Sequence, residues 1–221
     1  LYDRAEEMGR LQDALEENER LQEEIAALTM ENAQLQQERY ELENLRDLYE
    51  IDGETADYEK TGARVIASDA TNWFYSFTID KGEQDGIAVD MNVIAGGGLV
   101  GRVVSVGPNY ARVLSIIADN SNVYGTVLTN SSNLLVSGDL QSVMTEGVIR
   151  FEQLSDRDDQ VRQGDKVVTS AISSKYLPDI PIGFIDSIET AANNMTKFGT
   201  ITPAVDFRHL QEVLVILETK Q

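Results

Sequence analysis

Leucines stand at 21, 28, 35 and 42, with Tyr49 on the same spacing, in a stretch that has no glycine or proline between Arg10 and Asp52. A leucine every seventh residue keeps one narrow stripe facing a partner helix, so the spacing predicts a coiled coil. With those leucines at heptad position d, position a is filled by Leu11, Asn18, Ile25, Asn32, Arg39 and Arg46. The predicted dimer seam is therefore Leu21, Ile25, Leu28, Asn32, Leu35 and Leu42, weakened toward Arg39 and Arg46. A buried asparagine at a selects a two-stranded parallel register. Glutamates fill g at 17, 24, 31 and 38, but the facing e positions are Gln22, Thr29, Gln36 and Glu43, so orientation rests on asparagine alone. Upstream, Leu1, Met8 and Leu15 keep the spacing in another phase, and the seam slips before Leu21. Residues 10–50 would span ~60 Å as a helix. Such a helix with so narrow a stripe projects from a body of ordinary size; the alternative is one amphipathic helix packed on that body.

From Ala63 onward the pattern changes to short β-branched runs cut by turn chemistry. Apolar segments at 74–79, 91–95, 99–106, 111–117, 123–128, 166–170, 182–188 and 212–217 alternate with turn signals such as Lys81-Gly82, Asp85-Gly86, Gly96–Gly98 and Gly107-Pro108-Asn109. Strands this short and this regularly punctuated predict an all-β barrel or sandwich.

The body also echoes itself. Val100-Gly101-Arg102-Val103-Val104-Ser105-Val106 aligns with Ile182-Gly183-Phe184-Ile185-Asp186-Ser187-Ile188, each behind a glycine-led strand, Gly86 to Ile94 and Gly164 to Val168. The second copy has the longer loop, Ala171 to Pro181. Two related barrels of ~80 residues each would give this repeat, and modules so small lean on their neighbours to bury enough surface. The fold class expected is mainly β with an N-terminal α-helical coiled coil and two small adjoining β-barrel domains. The expected division is 1–60 for helix and linker, 61–112 plus 204–221 for the first barrel, and 113–203 for the second; sequential barrels split near 145 are the alternative.

Composition changes the picture in two ways. The net charge of −20 is uneven: residues 1–60 carry nineteen acidic against six basic side chains, so the acidity lies mainly on the helix. Nucleic acid is excluded as a partner, because phosphate neutralisation needs clustered Lys and Arg. The absence of cysteine removes disulfides, thiol nucleophiles and Cys-zinc sites. No run reaches the ~18 apolar residues of a membrane span. The chain opens on Leu1 rather than methionine, as a fragment would.

Candidate chemistry is thin. His209 is the sole histidine, no serine follows it, and no G-x-S-x-G elbow exists, so the common triad orders fail. Asp156, Asp158 and Asp159 have the composition of a calcium loop without its glycine or closing glutamate, and read as a solvated acidic loop. Gly96–Gly101 spells G-x-G-x-x-G, but a β-branched strand follows where a dinucleotide site needs a helix. Asn130-Ser131-Ser132 and Asn194-Met195-Thr196 are sequons by pattern only. Trp73-Phe74-Tyr75 is the densest aromatic cluster; it reads as core, with Trp73 or Tyr75 as an alternative partner anchor. No catalytic, cofactor or metal residues are assigned, and no cofactor is expected.

Taken in order, Ala63–Ala67, Asn72-Trp73-Phe74, Thr78–Gly82, Asp85-Gly86-Ile87, Gly98–Val103, Gly107–Val113, Gly164–Ser170 and Ile180–Gly183 resemble the extracytoplasmic part of the MreC family of bacterial rod shape-determining proteins. The resemblance covers about residues 20–218. It implies a non-enzymatic scaffold of cell-wall elongation, with a single membrane-spanning helix just before the coil and this region outside the cytoplasm. It also implies a homodimer, in some members a filament, and as partners MreD, other elongation-complex proteins and the elongation transpeptidase, a class B penicillin-binding protein. Family barrels have been likened to those of serine proteases. Two other classes fit less well. A periplasmic adaptor of an export pump carries its coil as a helical hairpin inside a β-domain, and a two-barrel hydrolase lacks its chemistry here.

Overall fold

The computed structural model describes residues 2–54, 58–68, 76–119, 121–156, 158–192 and 195–220, with helix side chains described at 12 and 15–41. The chain forms two compact units, residues 1–45 and 46–221. The first lies within one helix, α1 (Tyr2–Glu54). Leu, Glu, Gln and Ala, all strong helix formers, dominate its sequence, and no glycine or proline stands between Arg10 and Asp52.

Among the described residues the second unit has twelve strands: β1 (Lys60–Ser68), β2 (Ser76–Ile79), β3 (Asn92–Ala95), β4 (Gly98–Val106), β5 (Ala111–Ser115), β6 (Asn122–Val127), β7 (Ser132–Ser137), β8 (Ile149–Leu154), β9 (Lys166–Thr169), β10 (Pro181–Thr190), β11 (Lys197–Pro203) and β12 (Glu212–Ile216). They close into two six-stranded barrels, β1-β12-β3-β4-β5-β2 and β10-β11-β8-β7-β6-β9, antiparallel throughout. Closure leaves no sheet edge to recruit a foreign strand. A short helix, α2 (Leu140–Glu146), precedes β8. Asp139 caps its start by accepting from the Ser142 amide, and Gly147 ends it at φ 74°.

Period-2 alternation fills each barrel. In the first, Val93, Val103, Val113, Val213 and Val215 are buried; in the second, Val123, Val127, Leu134, Val136, Ile149, Phe151, Ile185 and Ile201 are. Each fully buried aliphatic side chain of this size contributes about 1.5–3 kcal/mol.

The two barrels have the same cyclic strand order. Reading β12-β1-β2-β3-β4-β5 against β6-β7-β8-β9-β10-β11 matches every pairing, so the first barrel takes from the far end of the chain the strand that the second takes first. The echo between residues 100–106 and 182–188 lies in equivalent strands and extends to their irregularities. Pairing of β4 with β5 shifts between Val103 and Ser105, and that of β10 with β11 between Ile185 and Ser187. On the other side, β3–β4 pairing skips Val100 and β9–β10 pairing skips Ile182. Each bulge adds one residue and a local bend, and both fall at the same motif positions in both barrels.

The structure corrects the alignment ahead of that motif. Gly164 donates to the Ile185 carbonyl at 2.7 Å, and Asp90 donates to the Val103 carbonyl at 2.9 Å. Asp90, at φ 69°, is therefore the counterpart of Gly164, at φ 92°, in place of Gly86. The break expected after Arg112 falls inside β5: Val113, Leu114 and Ser115 still pair in the first barrel, and the chain leaves it beyond Ser115.

Candidate functional site

The helix carries its apolar residues in the open. Leu21, Ile25, Leu28 and Leu35 are 43–62% exposed, and Asn32 between them is exposed as well. The side chain of Leu42 lies outside the described residues. Around the stripe, polar side chains bond along the helix. Arg20 donates to Glu17 at 2.7 Å and reaches Glu24 at 3.5 Å, and Gln22 donates to Asn18 at 2.9 Å. The Arg20 guanidinium holds the Glu17 carboxyl below its ordinary range. These pairs run between successive turns and leave the leucine stripe uncovered.

In the body, polar side chains are committed to structure. Asp156, expected in a solvated acidic loop, is buried instead. Its carboxylate accepts from Asn130 at 3.2 Å, from the amides of Gln160 and Val161 at 3.0 and 3.1 Å, and from Lys197 Nζ at 2.9 Å. Lys197 also bonds Asp159. Burial pushes the Asp156 carboxyl up, but Lys197 and the two amides outweigh it and hold the group below the usual carboxylate range. The Asp159 carboxylate raises the Lys197 ammonium pKa, against burial and with help from Asp156. The cluster is a latch between the 155–161 loop and the start of β11. The Asn130 amide of one sequon is part of it.

His209 sits in the turn before β12, exposed, with Nδ1 2.8 Å from Asp206 Oδ2. Buried serines are engaged elsewhere: Ser115 donates to the Val100 carbonyl, Ser142 to Asp139, and Ser170 to Asn133. Gly96 and Gly97 form the β3–β4 turn at φ 47° and 101°, which makes the G-x-G-x-x-G run a hairpin. Among the described residues no group of three His, Cys, Asp or Glu side chains is placed to hold a metal ion. No helix among them is long and apolar enough to cross a membrane. Trp73 and Tyr75, read as core or partner anchor, and Asn194 of the second sequon lie outside the described residues.

Sequence reasoning missed a polar cluster where the barrels meet. Asn92 in β3 is buried; its Nδ2 donates to the carbonyls of Asp90 (3.2 Å) and Lys175 (3.0 Å), and its Oδ1 accepts from the Leu177 amide at 2.7 Å. Arg102 in β4 bonds Asp90 at 2.6 Å. Tyr176 is buried as well; burial pushes its hydroxyl pKa up, partly opposed by Ser121 and Arg102. The only signal available in the sequence was the extra length of the Ala171–Pro181 loop.

A long helix with an uncovered leucine stripe, followed by two closed six-stranded barrels of one topology, defines a class of helix-led double-barrel structural proteins. The profile described as rod shape-determining protein MreC, barrel core, matches residues 65–217. The chain belongs to the MreC family, the bacterial cell shape-determining proteins. It is 31% identical to the cell shape-determining protein MreC of Listeria monocytogenes over 93% of its length, and spans 66% of that relative. A solved Listeria monocytogenes MreC structure superposes with a TM-score of 0.66 at 28% identity, covering 90% of this chain and 95% of that one. The fold is also shared with MreC in a solved complex of Helicobacter pylori MreC with the penicillin-binding protein PBP2 (TM-score 0.53, 11% identity, 72% of this chain and 99% of that one).

Proposed function

We propose that this chain is a non-enzymatic scaffold of bacterial cell-wall elongation, which pairs through α1 and holds a class B penicillin-binding protein against its barrels. The observation that carries the reading is the uncovered row Leu21, Ile25, Leu28 and Leu35 on an otherwise polar, acidic helix. Such a row is stable in water only against another apolar face, and the asparagines at a suit a second parallel copy. Full-length family members place a membrane-spanning helix ahead of the coil, so the pair stands on the outer face of the cytoplasmic membrane, with MreD as a membrane partner. The Helicobacter pylori complex with PBP2 supports the synthase as the ligand of the barrels. Closed barrels present faces rather than edges, so the partner is recognised through side chains and not by strand addition.

The test is binding of a purified class B penicillin-binding protein ectodomain to this chain by biolayer interferometry. Saturable binding that survives in a monomeric coil variant, at lower avidity, supports the reading. Absence of binding by a folded dimer overturns it.

A further inference from the structure

Two barrels joined by short crossings move relative to one another by default unless something fixes them. Part of the joint here is apolar and close. A Cβ on Gly98 would lie 2.7 Å from the Pro181 carbonyl oxygen and 3.0 Å from Ala204 Cβ. Apolar contact is non-directional and permits sliding. Direction comes from the 171–180 segment, the loop that makes the second hairpin longer than the first. This segment is ordered from within: Thr169 Oγ1 donates to the Leu177 carbonyl and accepts from the Ile180 amide, and Ser173 Oγ accepts from the Tyr176 amide. It is then held from three places on the first barrel's side. Asn92 binds two of its peptide groups. Tyr58, ahead of β1, donates to the Pro178 carbonyl, and Lys220, beyond β12, donates to that of Ala171.

We propose that segment 171–180 is a clasp, that the first barrel closes it through Asn92, and that the closed clasp fixes the angle between the barrels so that the body acts as one rigid piece. A buried amide whose donor and acceptor are both satisfied across a joint admits one geometry, because any slide leaves its groups unpaired in a dry site. The same logic assigns register to a buried asparagine in a coiled coil. For a protein that works by position, Asn92 is a positioning residue: it touches no partner, and it decides where the faces of the two barrels point.

The chain contains no cysteine, so spin labels placed at Arg112→Cys and Glu152→Cys, one on each barrel, report the inter-barrel distance by pulsed electron resonance when the labelled full chain is diluted into an excess of unlabelled chain, which leaves one labelled copy per pair. The expected result is one narrow distance in the parent and loss of that narrow peak, with broadening, in Asn92→Ala, while the far-UV circular dichroism of both barrels persists. Tyr58→Phe keeps the ring and removes only the hydroxyl that donates to the Pro178 carbonyl, and should broaden the peak in the same direction by less. Distances as narrow as the parent's in both variants would overturn the clasp. So would an Asn92→Ala protein that fails to fold together with a Tyr58→Phe protein that keeps the parent's peak, since Asn92 would then belong to the core of the first barrel.

Discussion

Gly101 and Gly183 occupy one position in two barrels. A Cβ on Gly101 would stand 2.1 Å from the Leu114 carbonyl oxygen and 3.0 Å from Ser115 Cα; on Gly183 it would stand 2.2 Å from the Thr202 carbonyl oxygen and 2.9 Å from Pro203 Cα. Leu114 and Thr202 are themselves register equivalents, as are Ser115 and Pro203. The nearest neighbour in each case is a backbone carbonyl oxygen, which yields less than a flexible side chain, and at Gly183 the Ile201 side chain crowds in as well at 2.8 Å, so the strand crossing at each bulge is spaced for glycine.

Alanine at either position should destabilise the protein by about 1–3 kcal/mol, the usual cost of overpacking a site that cannot give. Urea denaturation of Gly101→Ala and Gly183→Ala checks it. Equal losses in the two variants are expected from the equivalence, and a neutral result at either would mean that the register there is not as described.

Leu28→Lys combined with Leu35→Lys should turn the proposed dimer into a monomer, because a charge buried without a partner costs about 3–5 kcal/mol. Analytical ultracentrifugation reads the mass, and circular dichroism the β-signature, which should not change. A variant with the mass of the parent dimer would show that the seam lies elsewhere.

The Asp156–Lys197 latch sets a pH window. The folded-state pKa of Asp156 is depressed, so its contribution is present above the unfolded carboxyl value of about 4 and is lost as pH falls through the folded value. That of Lys197 is raised, so its contribution is present below about 10 and is lost as pH rises through the folded value. Chemical denaturation across pH should show both limbs reduced in Asp156→Asn. Lys197→Met strands a buried carboxylate that keeps Asn130 and two amides. Its cost at neutral pH should fall toward the lower end of the roughly 3–5 kcal/mol of an orphaned buried charge.

Removing residues 204–221 deletes β12, which pairs with β1 and β3. The proposed division of the body predicts loss of the first barrel with survival of the second, seen by hydrogen exchange as protection retained in β6 to β11 only. Protection lost evenly from both barrels would count against modules that fold separately.

The heptad leucines and the alternating β-runs were legible because each is a short-period pattern. The strands β7, β8 and β11 were not singled out: Ser132–Ser137 and Lys197–Pro203 are half polar, and Ile149–Leu154 interleaves Arg150, Glu152 and Gln153 with its apolar residues. Their burial comes from pairing partners remote in sequence. The repeat around Gly101 and Gly183 was visible as letters, whereas its bulges needed the register. Asn92 gave no signal, since a polar residue that satisfies a joint looks like any surface residue until the joint is seen. Asp156 misled for the same reason: three aspartates in four residues look solvated, and only the fold brings Lys197 against the first of them.

The strand borrowed from the far end has a consequence in time. Lys60 pairs with Ile216, so the barrel that is made first closes last. During synthesis the helix and the second barrel have all their residues while the first barrel still lacks a wall. Two such half-built bodies, if brought side by side by the proposed pairing of α1, would each hold an open slot of the right register for the other's β12, so the faster the first barrel closes, the less the two exchange strands.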